Sequence, residues 1–223
     1  MHIFNYFNQL KGAINTMKEN KYPMLMPLDI QMFGENKVRF GLKNVHYAVA
    51  TEGADGKLTY ATPERYPGAV SLSLEPRGET SEFYADDRVY YATTVNNGYE
   101  GTYEAAELPL KFRVDVIGDQ LDENTGVLTE TANSKPKTIA LMFEFDGDVK
   151  ATRHVLYNVT VSRPGTSGET KTESTEPTTQ ELSFIAAPTV DGVVKRATTG
   201  TTTPEVYDAW YTKVFEPTVV PTP

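Results

Sequence analysis

The chain contains no cysteine. Disulfides, zinc–thiolate centres and cysteine nucleophiles are therefore excluded, and stability has to come from packing and assembly. Histidine is nearly as scarce: His2, His46 and His154 are the three present. None has a partner at H-x-x-x-H or H-E-x-x-H spacing, so local spacing builds no metal site. There is no G-x-S-x-G elbow, no P-loop and no dinucleotide fingerprint in a strand–turn–helix setting. No apolar run approaches the ~20 residues a membrane-spanning helix needs. Positive charge is in deficit, with 21 Lys and Arg against 30 Asp and Glu, a net charge of −9. Such a surface is a poor partner for nucleic-acid phosphate or an anionic membrane, although it suits a protein that lets DNA pass without holding it.

What is present fits a globular protein. Of the 223 residues, 39% are hydrophobic and 23% charged, which is not the profile of a disordered chain. Three regions are expected. Residues 1–36 form an N-terminal arm. Within it, Ile3, Phe7, Leu10, Ile14 and Met17 space like a short amphipathic helix, and neither a continuous apolar region nor a cleavage site marks a signal peptide. Residues 37–215 form the body, and residues 216–223, rich in Pro, Thr and Val, an extended tail.

The body reads as strands and turns. Residues 37–51 alternate with a slip at Asn44, and Asp55-Gly56 is a hairpin turn returning through residues 58–62. Residues 69–74 alternate Val70, Leu72 and Leu74 with serines. Residues 99–106 set Glu100, Thr102 and Glu104 against Tyr103 and Ala105. Residues 138–145 and 149–162 flank Asp146-Gly147-Asp148 as a second hairpin, and residues 181–187 are a further strand. Helices are expected at residues 109–118, with Leu110, Val114 and Ile117 on one side and Gly118 as the C-cap, and at residues 205–215, with Val206, Trp210 and Val214. Residues 164–179 carry no apolar side chain and are expected to be a mobile loop. The fold class is mainly β: a β-sandwich or partly closed barrel of two packed sheets with one or two flanking helices.

Candidate chemistry is sparse. His46 and His154 are expected on half-exposed strand faces. Asp86-Asp87 and Glu100 with Glu104 are the only carboxylates that suggest a glycosidase pair, and since nothing around them suggests a binding cleft they read better as a solvated face or an interface charge set. Residues 75–98 are long for a connection. There Phe83, Tyr84, Tyr90 and Tyr91 are interleaved with Glu79, Glu82, Asp86, Asp87, Arg77 and Arg88. That mixture matches an interface with aromatic anchors and a polar rim, or aromatics capping the subunit's own core, since Val89, Tyr91 and Thr93 alternate.

Several strings then resemble the major tail proteins of long-tailed bacteriophages, of the phi13-type family. They are Val45-His46-Tyr47-Ala48-Val49, residues 67–76 (PGAVSLSLEP), residues 81–86 (SEFYAD), residues 97–101 (NGYEG), residues 143–148 (FEFDGD) and residues 151–158 (ATRHVLYN). The match runs in order from about residue 37 to residue 215. Residues 27–33 (PLDIQMF) are similar to the leader of many phage structural proteins, which implies a start near Met24 or Met26 and a mature protein without residues 1–23.

The resemblance implies two packed β-sheets with a flanking helix, six-membered rings that stack into a tube, and no catalytic residue or cofactor. It implies a lumen that conducts DNA, and as partners the chain itself, a tape-measure protein, a tail terminator and distal tail proteins. The location implied is the virion tail, reached from the host cytoplasm during assembly, with no membrane step. On this reading Phe83, Tyr84, Asp86, Arg88, Tyr90 and Tyr91 are expected at a subunit interface, and Glu100 and Glu104 toward the lumen. Two rivals stay open at this point: a carbohydrate-binding β-sandwich and a glycoside hydrolase.

Overall fold

A computed structural model describes residues 35–166, 168, 170 and 178–216. The expected N-terminal helix, the leader, most of the 164–179 loop and the tail beyond Glu216 lie outside the described residues.

The chain runs through β1 (Arg39–Glu52), β2 (Leu58–Tyr60), β3 (Glu64–Arg65), β4 (Ala69–Pro76), β5 (Thr80–Ala85), β6 (Arg88–Thr94) and β7 (Tyr99–Ala105). Helix α1 (Leu110–Phe112) continues into a π-helical turn, Arg113–Ile117. Then come β8 (Gln120–Leu121), β9 (Leu128–Thr129), β10 (Ile139–Gly147), β11 (Thr152–Val161), β12 (Gln180–Ala187) and β13 (Lys195–Ala197). Helix α2 (Pro204–Asp208) ends in a 3-10 turn, Ala209–Tyr211.

Seven strands follow the order β2-β1-β10-β11-β12-β7-β4, with β13 added on β11 and β3 on β1, making a nine-stranded sheet. The pairs β5–β6 and β8–β9 stand apart. The sheet curls until β4 comes near β1, but no ladder joins them and no barrel closes. The expected mainly β architecture with two short helices holds.

Strand periodicity places the core. On β10, Ile139, Leu141 and Phe143 point inward to meet Val45, Tyr47, Tyr103, Leu156, Leu182 and Phe184; α1 adds Phe112 and the π-helical turn adds Val116 to this interior. The alternate residues Ala140 and Met142 point outward. There Val155, Tyr157, Trp210 and Val214 bury them beneath α2 and the segment that follows it. Because both faces of β10 are covered, its sequence is an apolar run and not an alternation.

Three expectations change. Residues 75–98 are no loose connection; their chain forms the β5–β6 hairpin. Leu110 is 51% exposed while Phe112, Val116 and Ile117 are buried, so the inward face runs through Phe112 and Val116, one turn apart, and Leu110 lies on the opposite side. The segment then closes in a wider turn, in which the amide of Gly118 donates to the Arg113 carbonyl five residues back, at 2.9 Å. At the slip expected near Asn44, the register breaks twice, between Phe40 and Leu42 and between Lys43 and His46, with Asn44 at φ 52°. These bulges leave Phe40 exposed.

The outer face also holds a buried charge. Glu144 is 3% exposed. Arg153 Nε donates to its carboxylate at 2.8 Å, Lys43 Nζ lies 3.6 Å away, and Asn44 Nδ2 donates at 3.3 Å. The Arg153 guanidinium lies 3.7 Å from the centre of the Tyr207 ring and donates to the Tyr207 carbonyl. Tyr211 stacks on His46, which is half-exposed as expected, with ring centres 4.5 Å apart. The network therefore pins α2 to the sheet.

His154 corrects the other histidine expectation. It is 8% exposed, stacked on Phe143 at 5.1 Å and edge-on to Phe145 at 5.6 Å. Burial first, then the charges of Lys195 and Arg39, push its imidazole down to about 4. The unfolded chain takes up this proton near pH 6.5. Between pH ~6.5 and ~4 the unfolded state thus binds more protons than the folded one. Stability from this site is full above pH ~6.5 and falls by up to about 3 kcal/mol on acidification. In urea titrations at pH 7.5 and 4.5, His154→Leu is expected to remove that difference relative to the parent chain; an unchanged difference would mean that the imidazole is not held neutral.

Candidate assembly surfaces

The β5–β6 hairpin extends the β4–β7 pair. Between the two ladders the chain stays paired: the Arg77 amide donates to the Gly98 carbonyl and the Asn97 amide to the Arg77 carbonyl, both at 2.8 Å. Two glycines allow this passage. A Cβ on Gly78 would lie 2.0 Å from the Val95 carbonyl oxygen, and one on Gly98, at φ +93°, would lie 1.9 Å from that of Ala186. At the far end Asp86 and Asp87 have φ 53° and 55°. Both central residues are thus left-handed, as the tight hairpin turns matching strand twist require.

The hairpin buries none of its large side chains. Phe83 (61%), Tyr84 (62%), Tyr90 (65%) and Tyr91 (62%) are all exposed, so they do not cap the core. Phe83 pairs across with Tyr91 and Tyr84 with Val89, which leaves Tyr90 as the extra residue of a bulge. The Tyr84 hydroxyl donates to Glu82 at 2.6 Å, a bond that raises its phenol above the usual range. Asp86 holds the turn, and Arg88 opens β6. Four aromatics at this exposure present roughly 400–600 Å², the scale at which an exposed patch marks an interaction site. An isolated two-stranded hairpin is also marginal in water by itself.

The second surface is the outer face of β4, β7 and β12. Register aligns three rows across it: Glu75, Glu100 and Ile185; Ser73, Thr102 and Ser183; Ser71, Glu104 and Glu181. The sequence expectation reached Glu100 and Glu104 from their shared strand face but missed Glu75 and Glu181, which join only through long-range pairing. None of these nine positions carries a cation. Glu75 sits directly opposite Glu100, and Glu104 directly opposite Glu181. Like charges so placed destabilise a sheet. Arg77 lies 3.9 Å from Glu100. Glu104 accepts from Thr179 and, at 2.9 Å, from Ser71; these bonds hold its carboxyl below the usual range and keep it ionised.

Neither carboxylate pair makes hydrolytic geometry. Asp86 and Asp87 occupy a turn. Glu100 and Glu104 are four residues apart on one strand, about 13 Å at the backbone, whereas glycosidase carboxyls stand roughly 5–9.5 Å apart. Among the described residues no group of three or more His, Asp or Glu could hold a metal ion. Among them, too, no helix is long and apolar enough to cross a membrane.

Comparison with known proteins gives the family. No curated protein matches the chain. A solved structure, the cryo-EM structure of the anti-feeding prophage cap (AFP tube terminating cap), is similar over 79% of this chain and 99% of its own, at 13% identity and a TM-score of 0.40. A family model described as phage tail tube protein matches residues 30–214. That span includes every described strand and both candidate surfaces, so the chain belongs to the phage tail tube protein family and its part in the tail is structural.

Proposed function

We propose that the chain builds the tail tube by assembling with copies of itself into stacked rings, six to a ring, whose lumen conducts DNA. The exposed aromatic hairpin carries this reading. Phe83, Tyr84, Tyr90 and Tyr91 supply anchors, Asp86 and Arg88 a charged rim, and an assembled neighbour supplies the cover that the free subunit lacks. The phi13-type subdivision, the tape-measure protein, the tail terminator and the distal tail proteins enter as the partners and kinship that fit such a subunit. It assembles in the host cytoplasm and ends in the virion tail.

The face bearing Glu75, Glu100, Glu104 and Glu181 lines the lumen. Two directly opposed Glu–Glu pairs are a local conflict that folding alone does not call for, and such conflicts concentrate at functional surfaces. A wall of carboxylates and hydroxyls, where Arg77 lies against Glu100, offers phosphate little counter-charge, so DNA slides.

Particles carrying Glu100→Lys with Glu104→Lys test the lumen assignment. Each new lysine would face a glutamate across the ladder, but Glu100→Lys also meets Arg77 and Glu104→Lys gives up the Thr179 and Ser71 hydrogen bonds, so subunit stability is expected to stay within about 1 kcal/mol of the parent. Tubes should form. DNA ejection, followed by dye binding to the released DNA, is expected to slow by about tenfold at low salt and to recover as salt is raised. Ejection at the parental rate at every salt concentration would place these residues away from the DNA path.

A further inference from the structure

At the other end of the sheet order, β2 is an edge strand of three residues, paired only with β1. A groove of about 640 Å³ runs beside it, closed on the far side by the connection between β12 and β13. Lys57, Leu58, Thr59 and Tyr60 all line it. Successive strand residues point to opposite faces, so the groove follows the edge of β2 and not one of its faces.

Two aromatic rings form part of the lining. Tyr60 and Tyr157 have ring centres 6.1 Å apart. Their hydroxyls are already committed: Tyr60 donates to the Tyr157 carbonyl at 3.1 Å and Tyr157 to the Phe215 carbonyl at 2.6 Å. Ring surface therefore faces the groove, together with Val193 and Val190, which is 69% exposed, while Asp55, Lys57, Asp191, Arg196 and Glu216 add charged groups to the lining.

The position of the chain itself points to the occupant. Phe215 is stacked on Trp210 at 5.5 Å, and Glu216, the last described residue, is part of the groove wall. Residues 217–223 follow directly on Glu216 in the sequence. They read Pro-Thr-Val-Val-Pro-Thr-Pro, with three prolines and no charge. A proline-rich segment suits an aromatic-lined groove. Extended, seven residues span about 22 Å, ample for a three-residue strand. Prolines lack the N–H that would continue a ladder. A segment carrying them covers an edge without offering a new one, and covering is one of the ways sheets avoid unwanted edge pairing.

We infer that residues 217–223 seat in this groove of their own chain and cover the edge of β2. The cover makes that edge unavailable for pairing in the free subunit. This inference stands apart from the ring and lumen assignments, since it concerns a different edge of the sheet.

The absence of cysteine makes the test clean. Val190→Cys is combined in turn with Val219→Cys and with Val220→Cys in the full chain, under a mild copper–phenanthroline oxidant. The reference pairs put the same tail cysteines with Val149→Cys, an exposed position beyond the opposite end of β1. At least one Val190 pair is expected to close within a single chain, about tenfold faster than its Val149 counterpart, as its effective concentration is higher. Closure at equal rates with both positions, no closure at Val190, or closure only between chains would each overturn the inference.

Discussion

Alanine at Tyr84 and Tyr90 together is expected to give a folded monomer that no longer forms tubes. Both side chains are more than half exposed in the subunit. Truncating them removes almost no packing from the free chain, so monomer stability should stay within about 0.5 kcal/mol of the parent. In an interface, aromatic anchors of this kind contribute about 2 kcal/mol each. Losing two weakens every contact by roughly a thousandfold, and a stacked assembly repeats that loss at each subunit. Sedimentation velocity combined with thermal melting separates the outcomes. A large drop in monomer Tm would return these residues to the subunit's own core. Normal assembly of the double variant would reject the contact role outright.

Glu144→Ala is expected to have the largest effect on the fold itself. The carboxylate is buried and is shared by Arg153, Lys43 and Asn44. Its removal leaves the Arg153 guanidinium, itself mostly buried, without its counter-charge, and breaking a buried pair from one side costs about 3 kcal/mol or more. For a domain of this size that is a fall in Tm of roughly 6–12 °C. Because Arg153 also lies against Tyr207, the damage should begin at α2, and proteases should cut there first. Glu144→Gln keeps acceptor geometry for the hydrogen bonds and is expected to lose less. A Tm within about 2 °C of the parent for the alanine variant would show that the network does not hold α2 to the sheet.

Local signals in the sequence were enough for much of the β framework. Asp55-Gly56 states a turn in its own residues, and the alternation through Tyr103 and Ala105 names the inward face of β7; the turn expected at Asp146-Gly147-Asp148 falls later, at residues 148–151, because Asp146 and Gly147 stay in β10 paired with Phe40 and Arg39 of β1. Signals that depend on distant pairing were not legible. Asp86 and Asp87 adopt φ above zero without a glycine to announce it, and the extra Tyr90 breaks the alternation that would have marked β6. The hairpin was therefore readable as an aromatic, charged segment but not as two strands. Glu144 sits in Phe143-Glu144-Phe145, which looks like an exposed position between two buried ones. Only the arrival of α2, some sixty residues later, covers it. The same holds for the acidic face. Glu100 and Glu104 share a strand, but Glu75 and Glu181 meet them only once β4 and β12 take their places on either side of β7.

Self-assembly is the centre of the account, and negative-stain electron microscopy of the purified full chain over a range of concentrations tests it most directly. The expected images show rings of one diameter, and tubes of that same diameter as the concentration rises. A chain that stays monomeric at every concentration, and is absent from tail tubes when supplied to assembling particles, would contradict it.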